Sequence, residues 1–464
     1  MNKDLDNLVL SLKDEMLKEI SEIIKFKSYK STPAKDAPFG VEVKKALDYA
    51  LSLGRKYGFK TKNVDNYAGH VEFGSGQKVF GVLGHLDVVP EGTGWSVDPY
   101  GGVIKDGYLW GRGSEDDKGP IMAAFFALKA VKDFGINPKG RIRIIFGTNE
   151  ESGWECMKHY FKNEKKPDWG VTPDGAFPMI NVEKGIVDIE ISLSRKPSSK
   201  NGSLSIISLK GGEAPNMVAQ NASAVFKINS KKFSTNVLNN FKPSNGAKIN
   251  FSIDKDRLEI TATGKSAHGA NPSAGINAIS ALLDLIGNLD LDDGEILGHI
   301  KNISQKVGYE TDGKSLGIAG RDEMSGALTV NLGLMEITPK KMKMVLNIRY
   351  PIFFNLKMIK KQIEEALKGL KVSVGHHHDP LFVSPDNELI HILSDVYEDM
   401  TGQKAYLIAI GGGTYARAIP NAVAFGPTFP GHESREHQPD ERISIDDLLM
   451  ISRIYAQLFY KILS

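Results

Sequence analysis

The chain has 464 residues, 41% of them hydrophobic, with 58 Lys+Arg against 56 Asp+Glu and a formal net charge of +2. That length predicts roughly two to four domains, and the charge balance excludes a bulk field that would drive binding to nucleic acid or to an anionic membrane. The single cysteine, Cys156, excludes an internal disulfide and a cysteine zinc cluster and suits a reducing compartment.

The first residues, Met1-Asn-Lys-Asp-Leu-Asp6, carry neither the apolar core nor the cleavage site of a secretory leader. No apolar run approaches the ~18 residues of a spanning helix. The expectation is a soluble, cytoplasmic protein with no membrane and no nucleic-acid partner.

Residues 8–26 place Leu8, Leu12, Met16, Ile20, Ile23 and Ile24 at helical spacing and predict an amphipathic helix; residues 41–57 predict a second. Short strands around Thr61 and Val71 precede residues 78–86, an apolar run that reads as a buried strand and ends in His85 and Asp87. Residues i and i+2 of an extended backbone leave one face, and chemistry in an α/β sheet gathers where strands end. Asp106-Gly107 marks a hairpin turn. Glu115, Asp116 and Asp117 then stand directly before an apolar helix beginning near Pro120, where acids suit helix capping as well as a site. A strand over 140–147 runs into Glu150-Glu151, a pair that alone would pass as a solvated helix start. Another, near Trp169, ends at Asp174. Cys156 reads as a small core residue on a helix.

From residue 183 the texture becomes α+β. Alternating runs at 186–193, 204–209, 249–253, 258–262, 327–334, 343–349 and 371–375 predict strands; 217–226, 276–289, 296–307 and 356–370 predict helices. Residues 198–201 and Gly211-Gly212 read as exposed turns, and His376-His377-His378 as a hinge. Beyond it come a helix (389–400), a strand (404–410), a tight turn at 411–415, a strand (423–425), a loop (429–440) and a closing helix (443–462). The chain thus divides into 1–182, 183–378 and 379–464, the first and last forming one domain and the middle inserted into it. The two halves of the insert share an element order.

The string Gly84-His-Leu-Asp-Val-Val-Pro90, then Gly94-Trp-Ser-Val-Asp-Pro99, then Gly111-Arg-Gly-Ser-Glu-Asp-Asp-Lys-Gly119, resembles the dinuclear-zinc peptidase family of aminoacylases, carboxypeptidases and dipeptidases. It is most similar to the dipeptidase branch, that of carnosinase and the bacterial Xaa-His dipeptidases. The resemblance covers nearly the whole chain. It implies an α/β catalytic domain with a mixed sheet flanked by helices, and an inserted α+β lid whose two halves are a duplication.

The same resemblance implies the site. His85 and Asp174 would belong to a first metal ion and His437 would complete a second, Glu151 would be a ligand of one of the two, and Asp116 would bridge both. Glu150 would be the general base, and the Asp87 carboxylate would orient His85. His432, five residues before His437, is the alternative ligand; that spacing is not the four that stacks two histidines on one helix face. In the lid, Asn216 would contact substrate, His268 the oxyanion and Arg349 the substrate carboxylate, which a guanidinium grips in two places. Gly412 and Thr414 would add a backbone N–H and a hydroxyl. The donors fit two divalent ions, zinc first, with manganese or cobalt also suited. Arg112 and Asp117 are expected to be structural, and Lys118 surface or hydrogen-bonding; His70, His159, His299 and His391 have no part in the pattern.

The implied activity is hydrolysis of unblocked dipeptides by a monomer. Two alternatives stay open: an N-acyl amino acid amidohydrolase, and a catalytically silent binding relative, which would lack a ligand or the base.

Overall fold

The computed structural model describes residues 1–195, 202–229 and 233–464; the turn expected at 198–201 lies outside them. The chain separates into two compact units, one of Met1–Asn181, Phe382–Ile408 and Gly413–Ser464, the other of Val182–Leu381 with Ala409–Gly412.

In the first unit, Arg141–Gly147, Val79–His85, Trp169–Thr172 and Ala422–Ala424 lie side by side and parallel. Antiparallel Ala68–Gly74 and Lys60–Val64 extend the sheet beyond Arg141–Gly147, and Met179–Glu183 pairs antiparallel beyond Ala424. Val79–His85 is buried along its whole length, as a parallel strand covered on both faces must be. The helix Lys118–Asp133 packs on it and is itself packed by the closing helix Ile445–Leu463. Pairing of His85 with Gly147 and of Val82 with Val171 brings three strand ends level. Asp87, Glu150-Glu151 and Asp174 therefore leave one edge of the sheet, where open α/β folds place their ligands.

The N-terminal helix expected over 8–26 is two helices, Lys3–Ser11 and Lys13–Ile24. Ser11 Oγ donates to the Leu8 carbonyl at 2.7 Å, the local competition that disfavours serine inside helices. Asn2 caps the first by accepting from the Asp4 and Leu5 N–H groups. The Asp106-Gly107 hairpin forms with both residues at positive φ (53° and 79°). Its second strand, Tyr108–Trp110, also pairs with Arg442–Ser444. That pairing brings the segment after His437 against the acidic loop.

Among the described residues the second unit forms one antiparallel eight-stranded sheet, in the order Lys248–Asp254, Arg257–Thr263, Asn221–Ile228, Leu204–Gly211, Thr329–Ile337, Lys341–Tyr350, Gly185–Ser194 and Lys371–His378. The first four strands and the last four form two halves that meet through Leu209–Gly211 against Met335–Ile337. The helices Ala278–Gly287 and Leu356–Ala366 pack on the first and second half respectively, and both supply its apolar core.

Three expectations are corrected here. Residues 217–226 are not helical: Asn221–Ile228 is a strand paired on both sides, with Ala222, Ala224 and Phe226 buried at period two. The alanines favour helix, but alternation and two flanking strands decide the outcome. Gly211 is buried at a strand end rather than in an exposed turn. His376-His377-His378 is no hinge: it completes the edge strand Lys371–His378, and the Tyr350 hydroxyl lies 2.7 Å from His377 Nε2. No described helix is long and apolar enough to cross a membrane.

Candidate metal centre

At the sheet edge the ligand-type atoms form two groups that share a residue. Those of His85, Asp116 and Asp174 lie within 4.8 Å of one another, and so do those of Asp116, Glu151 and His437. One Asp116 oxygen is 2.9 Å from His85 Nε2 and the other 3.0 Å from His437 Nε2. His437 Nε2 is also 3.1 Å from Glu151 Oε1, and His85 Nε2 is 3.8 Å from Asp174 Oδ2. His432 stands apart from both groups, with Nδ1 3.0 Å from Asp447 Oδ2.

The backbone around these groups is held by buried acids. Asp87 spans the acidic pair: Oδ1 accepts from Glu150 N–H at 3.0 Å and Oδ2 from Glu151 N–H at 3.1 Å. His85 is oriented by the Asp87 carbonyl rather than by its carboxylate, which corrects the expected contact. Nδ1 lies 2.9 Å from the carbonyl oxygen and 3.6 Å from Oδ1. A carbonyl can only accept, so the neutral ring carries its proton on Nδ1 and would offer the Nε2 lone pair to a cation. Asp117 Oδ2 accepts from His85 N–H. Gly84 leaves room for it, since a Cβ there would meet that oxygen at 2.4 Å.

Glu441 gathers the acidic loop. Its Oε1 accepts from the N–H groups of Gly113, Glu115 and Asp116, and its Oε2 pairs with Arg112 Nη1 at 2.5 Å. Both side chains are buried. Burial pushes the Glu441 carboxyl up to about 7, against the pull of Arg112. Lys118 is buried, not on the surface; it donates to the Phe26 carbonyl at 2.8 Å, and burial lowers its ammonium to about 7.

The electrostatics describe a site short of positive charge. Burial and then the charge of Asp174 hold Glu150 well above the usual carboxylate range. Burial and then Asp116 raise both Glu151 and Asp174. Burial opposes charge on the two imidazoles, but the carboxylates outweigh it and raise both, His437 to about 11. His85 Nε2 and Asp116 Oδ1 are buried and 2.9 Å apart, yet neither makes a hydrogen bond of acceptable geometry. A divalent cation would displace the imidazole proton and leave two electron-pair donors facing one another among excess carboxylates, an arrangement that fits a shared ion.

Trp154, Tyr415 and Glu441 also belong to this neighbourhood and carry no motif signal. The Trp154 indole N–H donates to Glu150 Oε1 at 3.1 Å. The Tyr415 ring stands edge-on to both His85 (6.2 Å) and Trp154 (5.2 Å), and its hydroxyl is 2.9 Å from the buried Cys156 Sγ. Gly147 allows that ring in, because a Cβ would meet the hydroxyl at 2.5 Å. A buried arginine in the Gly111–Gly119 motif did demand an acid partner, but nothing local singled out Glu441. Of the remaining histidines, His70 is buried with Nδ1 2.6 Å from the Tyr160 hydroxyl, and His159 pairs with Asp65.

The second unit brings together its own polar set. Asn331 Nδ2 donates to the carbonyls of Pro215 and Met217, both at 2.8 Å, and Gly269 N–H donates to the Asn216 carbonyl at 2.7 Å. The Asn216 turn is thus held against the residue after His268. Ala270 N–H donates to His268 Nδ1 at 3.3 Å, so the neutral ring carries its proton on Nε2. Arg349 is buried; Nε donates to Asn347 Oδ1 (2.9 Å) and Nη1 to the Gly411 carbonyl (3.0 Å), next to Gly412. Thr414, in the first unit, accepts from Ala416 N–H and caps the turn Tyr415–Ala418.

Comparison with known proteins follows the same lines. The profile of peptidase family M20/M25/M40 matches residues 81–461. YtjP of Bacillus subtilis (strain 168), which bears the provisional name of a dipeptidase, is 40% identical over 464 residues, covering 98% of each chain. Human carnosine dipeptidase 1 superposes with a TM-score of 0.58 at 15% identity over 100% of this chain and 99% of its own. The di-peptidase Dug1p of Saccharomyces cerevisiae gives 0.59 at 14% identity over 99% and 98%. At such identities the likeness is one of fold.

Proposed function

From the premise that this chain belongs to peptidase family M20/M25/M40, and so is a metallopeptidase, we propose that it is a dipeptidase working with two divalent ions, zinc in the first place. The observation that carries this is Asp116, with one oxygen against His85 and the other against His437. His85, Asp116 and Asp174 would hold one ion, and Asp116, Glu151 and His437 the other. When bound, such a pair lowers the pKa of water and polarises a carbonyl.

The side chains supply the rest. Glu150 takes a proton from the attacking water and returns it to the leaving amine, so that one peptide bond and one water become a carboxylate and an amine. Asp87 fixes the backbone on which Glu150 and Glu151 stand, and its carbonyl fixes the His85 tautomer. His268, protonated on Nε2, donates to the developing oxyanion. Arg349 grips the substrate carboxylate, with Asn216, Gly412 and Thr414 as further contacts. Two four-stranded halves within one eight-stranded sheet support a monomer.

A substrate panel tests the reading. Unblocked dipeptides should be cleaved at least about 100-fold faster than tripeptides or N-acetyl amino acids. The activity should vanish on chelation and return with zinc, manganese or cobalt. Preference for N-acetyl amino acids would make the protein an amidohydrolase instead.

A further inference from the structure

Between the acidic pair and the helix Glu155–Asn163 the chain makes a closed loop. Trp154 N–H donates to the Asn149 carbonyl at 2.8 Å, and Glu155 N–H donates to Asn149 Oδ1 at 3.0 Å. Trp154 sits in the left-handed region (φ 66°) and Gly153 at φ 142°. A bulky aromatic residue is unfavourable there and persists only where its surroundings over-determine it. What the conformation achieves is specific: the indole N–H meets Glu150 Oε1 at 3.1 Å while the ring packs against Tyr415. The Glu150 backbone is held separately, by Asp87 Oδ1. The carboxylate of Glu150 thus has one oxygen engaged by an uncharged donor that does not itself titrate in the working range.

We propose that Trp154 is a positioning residue for the general base: it holds one oxygen of Glu150 so that the other is turned to the water from which the proton is taken. A glutamate side chain has three rotatable bonds, and in a site crowded with metal-seeking carboxylates its alternative is to swing onto a cation. An indole donor on Oε1 opposes that rotation without adding charge. The inference rests on the reading of Glu150 as base and adds to it the group that aims it.

The test uses the metal-loaded enzyme and Trp154→Phe, which keeps an aromatic ring beside Tyr415 and removes the indole donor. The expected result is a loss of about tenfold or more in kcat, the scale of a hydrogen bond to a charged group. KM should be unchanged, as should metal stoichiometry and affinity in a chelator competition. A merely structural role would disturb the loop that carries Glu151 and weaken metal binding together with rate, which would overturn the proposal. A kcat within about twofold of the parent would do the same. Glu150→Ala serves as the reference: if it keeps most of its rate, the base assignment falls and the positioning role with it. If Glu150→Ala is inactive while Trp154→Phe is unimpaired, only the positioning role falls.

Discussion

The two ligand groups that meet at Asp116 are built differently. His85 ends a buried strand, has a side chain 1% exposed, and is fixed on both its backbone N–H and its ring. His437 stands in a loop at positive φ, with a side chain 51% exposed. One imidazole is set by the sheet, and the other is reached by a loop that the strand Arg442–Ser444 and Glu441 hold near the acids. On the proposed two-ion reading, pre-organisation on one side and access on the other would make the ion beside His85 the more tightly held and the one beside His437 the more exchangeable.

Removing the shared group should have the largest effect, because it abolishes the difference between the sides. Asp116→Ala is expected to lose both ions and at least about 10³ in kcat/KM, read by metal analysis after gel filtration and by dipeptide assay. Retention of one ion at full occupancy would show that the groups do not share a bridge.

Single-side changes sharpen the comparison. His437→Ala should lose one ion per chain, with affinity for it down about 100-fold, a per-ligand share of a structural metal's binding energy, and added metal should restore part of the activity. His85→Ala should lose its ion without such rescue, since the ring's place is closed to solvent. Equal rescue of both variants would contradict the asymmetry.

The smallest effect is on the stability of the metal-free protein. Glu150, Glu151 and Asp174 are raised by burial and by neighbouring charge. A carboxyl raised in the folded state contributes stability below its unfolded value near 4 and loses it as pH rises through the folded value. His437, raised to about 11, contributes below about 6.5 and loses that as pH rises toward 11. Both act in the same direction. The chelated protein should lose a few degrees of Tm from pH 5 to pH 9, and the metal-loaded protein less, because cations replace the protons. A chelated Tm that rises over this range would contradict the charge balance described above.

Much of the site's outline was legible in the chain. Periodicity placed the strand before His85, the strands before Glu150 and Asp174, and the Asp106-Gly107 hairpin, since each is a local pattern of burial or turn chemistry. Helix for 217–226 failed because alanine-rich alternation is ambiguous until neighbouring strands are present to pair with it. Lys118 could be read as a surface or a hydrogen-bonding lysine, and the structure decides for the second, because nothing local reveals how deeply the start of its helix is buried. Asp87 was expected to act on His85 through its carboxylate, yet the geometry gives that task to its carbonyl and sends the carboxylate to Glu150 and Glu151.

The order of residues by itself determined which side chains bring imidazole and carboxylate chemistry and at which strand ends they stand, because hydrophobic alternation and turn residues act over a few positions. Only the tertiary structure decided that Asp116 lies between His85 and His437 and that Glu441 anchors the loop bearing it. Those meetings depend on parallel strand register and on pairings between segments more than 300 residues apart, and no short-range property of the chain encodes a distance of that kind.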